Sequence, residues 1–283
     1  MSKESEAELL AKINELEEWY QMHPQMPRKI DKCILRRFIR VMDDDLEKAK
    51  RLLEVHYKIR NQFPDIFLER DPLDKGTEQI CKLWDMIPLP GLTNDNCTVA
   101  FHRIRDSNTD KFNFRDGARC LVMMFDTRFI CDGERISEGE ISVIDMSGCT
   151  LGHVAKITWR DLRIIATATQ DGLPAKIKSV HYLNCPPFMG KLMRVLKWFL
   201  KSEIIQSMHF YLSADETFYE HVPKDMMPFE YGGKAGKLCD LRELWQQRLK
   251  DQRSYLMDPE YWAIDNSKLT EGSPSTSSII NNN

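Results

Sequence analysis

The first 60 residues place apolar side chains at the spacing of α-helices. These positions fall in three groups, at residues 9–20, 34–39 and 46–53. Asp44 followed by Glu47 has the pattern of a capping box and predicts the start of the third helix. That helix should end before Pro64, because the residue preceding a proline disfavours helical backbone. The chain therefore begins with a small helical unit.

From about residue 97 onward, stretches with strand character alternate with stretches of helical period. Strands are predicted at 98–104, 140–145, 177–183 and 207–212, and helices at 159–169, 188–200 and 240–253. Strands that alternate with helices through short connections predict an α/β sheet with parallel pairs and right-handed crossovers. The last 18 residues, 266–283, are polar and rich in Ser and Asn, which is typical of a disordered tail.

Composition narrows the class of protein. The 283 residues carry 40 Lys and Arg against 43 Asp and Glu, and this net charge of −3 argues against general nucleic-acid binding. The eight cysteines form no CxxC pair and no zinc spacing, so we expect free thiols in a reducing compartment. The start is acidic, and no apolar run is long enough to cross a membrane. These features predict a soluble cytoplasmic protein whose membrane contact is peripheral.

Signatures of enzymes are weak in this chain. The motifs GxSxG, GxGxxG, HExxH and the P-loop pattern are absent, and HRIRD at 102–106 lacks the other kinase motifs. YGGK at 231–234 is interpreted as a tight loop, and Asp145 at a strand end either acts as an acid or caps the next loop. Three histidines could in principle form a metal triad, but ordinary buried or surface positions are favoured: His153, His181 and His209. We therefore expect no catalytic residue, metal or cofactor.

The informative stretch is 172–202, which is basic although the chain is acidic overall. It contains no acidic residue and six basic ones: Lys176, Lys178, Lys191, Arg194, Lys197 and Lys201. On a helical wheel of 188–201, one arc is apolar and includes Phe188, Leu192, Val195, Leu196 and Phe199. The opposite arc carries the basic residues with Trp198 among them. This pattern favours a lid helix that covers apolar contents and faces an anionic membrane, although a core helix with solvated lysines has the same pattern.

Four segments together indicate a family. They are DKCILRRFIRVMDDDLEKAKRLLEVHYKIR at 31–60, VIDMSGCTLGH at 143–153, DGLPAKIKSVHYLNCPPFM at 171–189 and VPKDMMPFEYGG at 222–233. In their order and spacing the chain resembles the CRAL-TRIO lipid-binding proteins over about residues 5–255, and most of all the tocopherol-transfer and retinaldehyde-binding members. The resemblance implies an N-terminal helical subdomain (1–75), a lipid-binding domain (76–255) and a flexible tail (256–283). It also implies a mixed sheet with helices around an apolar pocket, closed by a lid at about 184–200.

The same resemblance assigns site residues. The pocket should be lined by Ile144, Ile165, Ala168, Thr169, Ile177 and Val180, to which the apolar run at 121–125 adds Val122 and Phe125. Lys176 and Lys178 stand where the family binds phosphoinositides such as phosphatidylinositol bisphosphate. Two further basic positions of the family are Glu203 and Ser207 here, so Lys191, Arg194 and Lys197 would serve instead as a diffuse patch.

The leading hypothesis is a monomeric carrier, without enzymatic activity or cofactor, that encloses one hydrophobic lipid and exchanges it at anionic membranes. A tocopherol (vitamin E), a retinoid or another isoprenoid would suit such a pocket. A second hypothesis is a regulatory module that senses a lipid and reports to a protein partner without net transfer. A third is a small-molecule enzyme that uses Asp145 or a histidine. Nucleic acid is not expected as a partner.

Overall fold

The computed structural model describes residues 5–265 and residue 267. It begins with four helices: α1 Glu6–Gln21, α2 Lys32–Val41, α3 Leu46–Gln62 and α4 Pro64–Phe67. The three N-terminal helices that the apolar spacing predicts are therefore confirmed. The predicted cap of α3 is wrong by one residue, because Asp45 accepts the hydrogen bond from the Lys48 amide at 3.0 Å. Asp44 lies just before it with a positive φ of 64° and pairs with Arg40.

The remaining elements form the second part of the chain. The strands are β1 Trp84–Pro88, β2 Cys97–Ile104, β3 Gly139–Asp145, β4 Ile177–Leu183 and β5 Met208–Phe210. The helices are α5 Lys75–Leu83, α6 Phe114–Asp132, α7 Leu151–Ala155, α8 Trp159–Asp171, α9 Met189–Leu196, α10 Ser202–Gln206, α11 Glu216–Tyr219, α12 Leu238–Asp251, α13 Arg253–Met257 and α14 Pro259–Trp262. Short 3₁₀ turns occupy Thr109–Lys111, Lys224–Met226 and Phe229–Tyr231.

The five strands form one sheet in the order β1-β2-β3-β4-β5. β1 is antiparallel to β2, and each later strand runs parallel to its neighbour. Because right-handed crossovers that advance in one direction keep their helices on one side, α6, α8 and α9 lie on the same side of the sheet. We call this side the front face and the opposite side the back face. The predicted class, a mixed α/β sheet with an N-terminal helical region, is confirmed.

The back face is covered by the chain from residue 211 to 245. Alternate strand residues point to this side, and Phe101 and Val143 pack there against Phe218, all three fully buried. Trp245 of α12 packs in the same core and donates a hydrogen bond from Nε1 to the Pro88 carbonyl at 2.6 Å. The back face is therefore a packed core.

Several predicted bounds need correction. The helix predicted at 188–200 ends at Leu196, and the strand predicted at 207–212 covers only Met208–Phe210. The 19-residue helix α6 was not predicted, because ten of its residues are buried, among them charged ones, and it lacks a clear polar face. Strand β1 also escaped the sequence analysis. The helix predicted at 240–253 is α12, which ends at Asp251.

The boundary predicted for the flexible tail, residue 256, lies too early in the chain. Helices α13 and α14 pack back onto the N-terminal helices, with Leu256 fully buried and Trp262 6% exposed. The predicted disordered segment 266–283 lies outside the described residues except for Ser267. Residues up to 262 therefore belong to the folded core.

A buried ionic network joins the N-terminal helices to α6. Arg60 donates two hydrogen bonds to the Asp126 carboxylate, both of 2.8 Å, and Arg70 donates a third. Burial by itself raises the pKa of Asp126, but the charges of Arg60 and Arg70 outweigh it and the net direction is downward. The Trp262 ring lies 4.9 Å from the Arg60 guanidinium and 4.1 Å from that of Arg70. This network connects α3 and α14 to α6.

Candidate lipid-binding site

An apolar cluster with several partly exposed members lies on the front face of the sheet beneath α9. Val180 and Tyr182 of β4 form its floor together with Ile144 on the central strand β3. Leu192 and Met193 of α9 face this floor and are only partly buried. Ile144 is also only half-buried, although the centre of a sheet under a helix is normally the best-packed part of a domain. We call this space the lid groove.

A cavity lies between the N-terminal helices and helices α6 and α8 of the second part of the chain. It is narrow, with a volume of about 30 Å³, and lies between α3, α4, α6 and α8. Its wall includes five of the eight predicted pocket residues: Val122, Phe125, Ile165, Ala168 and Thr169. His56 contributes to this wall and donates from Nδ1 to the Gly172 carbonyl at 2.7 Å. Burial lowers the pKa of His56 to about 3, so the ring is neutral at pH 7.

The structure therefore divides the predicted pocket residues into two groups. Ile144, Ile177 and Val180 lie on the strands of the lid groove, and the other five line the cavity between α3 and α8. Helix α8 contributes only to the second group, which includes Ile165. Both groups are largely apolar, and both adjoin the front side of the sheet.

Helix α9 is held at its two ends rather than along its length. Of its eight residues only Met189 is buried. At the other end, Gln170 of α8 donates from Nε2 to the Phe199 carbonyl at 3.0 Å and accepts from the Lys201 amide at 2.6 Å. Lys201 also forms an ion pair with Asp171. The α-helix ends at Leu196, after which the amides of Trp198 and Phe199 donate to carbonyls three residues earlier, so the predicted helix to residue 200 is too long.

We call these contacts between α8 and residues 199–201 the latch. Trp159 strengthens it by stacking on Phe199 with ring centroids 5.7 Å apart and an angle of 23° between the planes. The sequence analysis did not assign a role to Gln170 or Trp159. Only tertiary structure shows it, since Gln170 and Lys201 are 31 residues apart.

The outer surface of α9 is basic. Lys191, Arg194 and Lys197 are exposed, and none has an acidic partner within the part of the chain that the structure describes. Trp198 follows directly and is 86% exposed. An exposed indole beside unpaired cations is typical of a surface that enters the headgroup region of an anionic membrane.

The two predicted phosphoinositide residues differ in their surroundings. Lys176 pairs with Asp43 of the turn between α2 and α3, whereas Lys178 is exposed and lies beside Gly139 at the amino end of β3. Nearby, Ser207 uses its hydroxyl to donate to the Ile204 carbonyl at 2.8 Å. Lys178 is thus open to an anion, while Lys176 would first have to leave its aspartate.

The candidate acid Asp145 has a structural role. It accepts hydrogen bonds from the Asn184 side chain, the Tyr231 hydroxyl and the Ser147 amide. Burial raises the pKa of Asp145, but these hydrogen bonds lower it by more, so its pKa lies below the ordinary value. Gly233 follows in the same loop, where a Cβ would lie 1.9 Å from the Met227 carbonyl oxygen. The YGGK segment is therefore a packed loop anchored on Asp145.

The three candidate histidines do not form one site. His153 accepts a hydrogen bond from the Thr150 amide at its own helix start, whereas His181 and His209 stack on the back face with ring centroids 4.8 Å apart. His221 joins that stack at 4.7 Å from His209. Within residues 5–265 and 267, no group of three His, Cys, Asp or Glu side chains is arranged to hold a metal ion.

Within the same residues, every helix is too short or too polar to span a bilayer. All eight cysteines carry free thiols.

Comparison with known proteins identifies related chains. A family model described as CRAL/TRIO domain matches residues 85–233, and one described as Pinta-like, UBA domain matches residues 5–77. Alpha-tocopherol transfer protein-like from Homo sapiens is 24% identical over 216 residues, and clavesin-2 from Mus musculus is 26% identical over 208 residues. These matches cover 76% and 72% of this chain. The chain spans about 62% of the length of either relative.

A solved structure supports the same fold. The match to "Crystal structure of Sfh5" has a TM-score of 0.53, covers 85% of this chain and 92% of the other, and has 13% sequence identity. At this identity the likeness concerns the arrangement of helices and strands alone.

Proposed function

The chain belongs to the CRAL/TRIO domain family, and from this we propose that it binds one hydrophobic lipid in the lid groove and transfers it at anionic membranes. The family supports lipid binding and transfer in general terms. One relative carries alpha-tocopherol transfer in its name, so our proposed ligand class is an isoprenoid such as a tocopherol or a retinoid. The chain would work in the cytoplasm as a peripheral membrane protein, which its eight free thiols support.

The observation that carries this proposal is the incomplete packing of the front face. The half-buried Ile144 and Ile177 lie on strands directly beneath α9, of which only Met189 is buried. A lipid placed there would remove these side chains from water. If it buried about 400 Å² of apolar surface, the gain would be about 10 kcal/mol, which is ample for tight retention.

Release requires the lid to open, and the latch is the contact that must break. The Lys201–Asp171 pair is exposed and the Trp159–Phe199 stack lies near the surface, so both can exchange protein contacts for water or lipid. On an anionic membrane, each of Lys191, Arg194 and Lys197 would be attracted by about 1 kcal/mol. The membrane would thus stabilise the open state, as a ligand that prefers one of two conformations does.

The test is a transfer assay between vesicles with the full chain. A fluorescent tocopherol analogue would move from neutral donor vesicles to acceptors that contain 20% phosphatidylserine, with Lys191, Arg194 and Lys197 all changed to Gln. We expect transfer to slow by about tenfold or more, and affinity in solution to stay within twofold, because the three lysine and arginine heads lie outside the groove. The matched control changes Lys75, Lys82 and Lys250 to Gln, which removes the same charge from exposed positions on α5 and α12.

A second variant addresses the pocket itself. Ile177→Asp places an unpaired charge on the groove wall and should abolish lipid binding. If it retains one lipid per chain, the groove is not the binding site. If the wild-type chain binds the analogue but shows no transfer with any acceptor, the regulatory-module hypothesis is favoured over the carrier.

A further inference from the structure

Two cysteine thiols on neighbouring helices lie in contact with each other. The Sγ atoms of Cys81 in α5 and Cys120 in α6 are 3.6 Å apart and share a hydrogen bond. The two residues are 39 positions apart in the chain, so only the packing of α5 against α6 brings them together. We call these two residues the thiol pair. To form a disulfide, the two sulfur atoms would have to approach each other by about 1.5 Å.

The packing around the thiol pair leaves room for this approach. Cys81 and Cys120 both line a narrow cavity of about 30 Å³ between α5, β1, α6 and α12. Met86 and Met124 line the same cavity, and the flexible thioether side chain of methionine adapts readily to small shifts. The sulfur atoms can therefore meet through side-chain rotation, without separation of the helices.

The two thiols differ in their access to solvent. Cys120 is 4% exposed and packs in an apolar core with Phe112 and Met123, whereas Cys81 is only half-buried. Cys81 also lines a second cavity, of about 130 Å³, which opens between α5 and α12. A small hydroperoxide fits into a cavity of this size, so Cys81 is the thiol that an oxidant reaches first.

The surroundings favour the thiolate form of Cys81, which is the form that reacts with oxidants. The hydrogen bond with Cys120 lowers the pKa of Cys81 and is the largest influence on it. The charges of Arg105 and Lys250 lower this pKa further, while burial and Asp85 act against them. For Cys120, the hydrogen bond with Cys81 and burial both raise the pKa. Cys81 is therefore the nucleophile, and Cys120 stays a protonated thiol beside it.

We propose that the thiol pair is a redox-sensitive modification site, in which Cys81 reacts with a hydroperoxide and Cys120 then closes a disulfide. In the first step the Cys81 thiolate attacks the peroxide, the O–O bond breaks, and Cys81 becomes a sulfenic acid. The other peroxide oxygen takes up a proton and leaves as an alcohol or as water.

In the second step the Cys120 sulfur attacks the Cys81 sulfur and an S–S bond forms. The hydroxyl group of the sulfenic acid leaves with the Cys120 proton as water. In total, the two thiols lose two electrons and two protons, and the peroxide accepts them. A small thiol such as glutathione reverses the reaction by exchange, so in a reducing compartment the disulfide is transient.

The disulfide would tie α5 to α6 and close a loop of 39 residues. Such a crosslink restricts the unfolded chain, so oxidation should raise the urea midpoint of unfolding by about 1 M. A reducing thiol should return the midpoint to its original value.

The test treats the full chain with one equivalent of hydrogen peroxide, blocks the remaining thiols by alkylation and maps the tryptic peptides. Peptides 76–82 and 120–128 each contain one member of the thiol pair. Their crosslinked product is lighter than the two reduced peptides together by the mass of two hydrogen atoms. It should form about tenfold or more faster than any oxidation product of the exposed Cys131 and Cys239.

Single variants assign the two roles. Cys120→Ser should leave Cys81 as a sulfenic acid that dimedone traps, and Cys81→Ser should leave Cys120 unmodified. Cys97→Ser is the matched control, because Cys97 is also buried but lies outside the thiol pair. This control should keep both the crosslink and the rise in the urea midpoint.

Two results would overturn the proposal. One is the absence of the crosslink at peroxide concentrations that already oxidise Cys131 or Cys239. The other is a crosslink that forms only in urea, since the folded contact between α5 and α6 would then play no part. Both are read from the wild-type chain, so they decide the question even if a substitution at the buried Cys120 prevents folding.

Discussion

Asp126→Asn tests whether the buried ionic network holds the two parts of the chain together. In the wild type, both carboxylate oxygens accept from Arg60, and one of them also accepts from Arg70. The side chains of Arg60, Arg70 and Asp126 are 6%, 0% and 2% exposed. Asparagine preserves the shape but removes the charge, and it turns an N–H group toward one of the guanidinium groups.

The expected loss follows from leaving two buried cations without a counter-ion. Removing one partner of a buried ion pair costs about 3–5 kcal/mol. With a urea dependence of about 3 kcal/mol per M, the unfolding midpoint should fall by about 1–1.7 M. Unfolding followed by tryptophan fluorescence measures this directly, because Trp262 lies against both arginines.

Asp71→Asn provides a matched control. Asp71 forms two hydrogen bonds with Arg253, of 2.8 and 2.7 Å, but this pair lies on the surface. Its loss should move the midpoint by less than about 0.3 M. If Asp126→Asn costs no more than Asp71→Asn, the network does not hold the N-terminal helices to α6, and the reasoning from burial is refuted.

Three further outcomes are expected. Gly233→Ala should lower the melting temperature by several degrees because its Cβ would strike the Met227 carbonyl, whereas Gly190→Ala, with nothing within 4 Å, should not. Trp262→Ala should lower the free energy of unfolding, measured by urea titration, by about 3–5 kcal/mol. A loss below about 1 kcal/mol would show that α14 does not contribute to the folded core. Burial lowers the pKa of His56 to about 3. Below about pH 6.5 the imidazole therefore becomes protonated in the unfolded chain but stays neutral in the folded chain, which favours unfolding. The urea midpoint should therefore fall between pH 6.5 and 4 and stay flatter in His56→Gln.

Elements that depend on residues close together in the sequence were predictable. The apolar spacing predicted α1, α2 and α3, and the strands 177–183 and 98–104 agree with β4 and β2 to within one residue. The family resemblance is confirmed because its motifs are short segments whose order and spacing persist at 24–26% identity. Helix α6 escaped because it is buried on several sides and carries Asp126 and Arg128 inward, which removes the periodic pattern on which the prediction depends.

The candidate site was only partly predictable. The sequence named Ile144 and Thr169 as parts of one pocket, yet they lie in the lid groove and in the cavity between α3 and α8. It also extended the lid helix through residue 200, because a wheel records apolar periodicity and not the point at which α-helical hydrogen bonds give way to turns, which is Leu196. The assignments of pocket, lid and membrane residues remain proposals.

The sequence alone determined the family, the fold class and the basic character of the lid segment, because each depends on local pattern or on motif order. Tertiary structure decided which polar groups are satisfied. Asp145, a candidate acid in the sequence, is anchored by hydrogen bonds from Asn184 and Tyr231, whereas Gln170, to which the sequence assigned no role, bonds to the main chain of residues 199 and 201. Hydrogen bonds between residues far apart in the chain depend on distance and burial in space, and neither can be read from the order of residues.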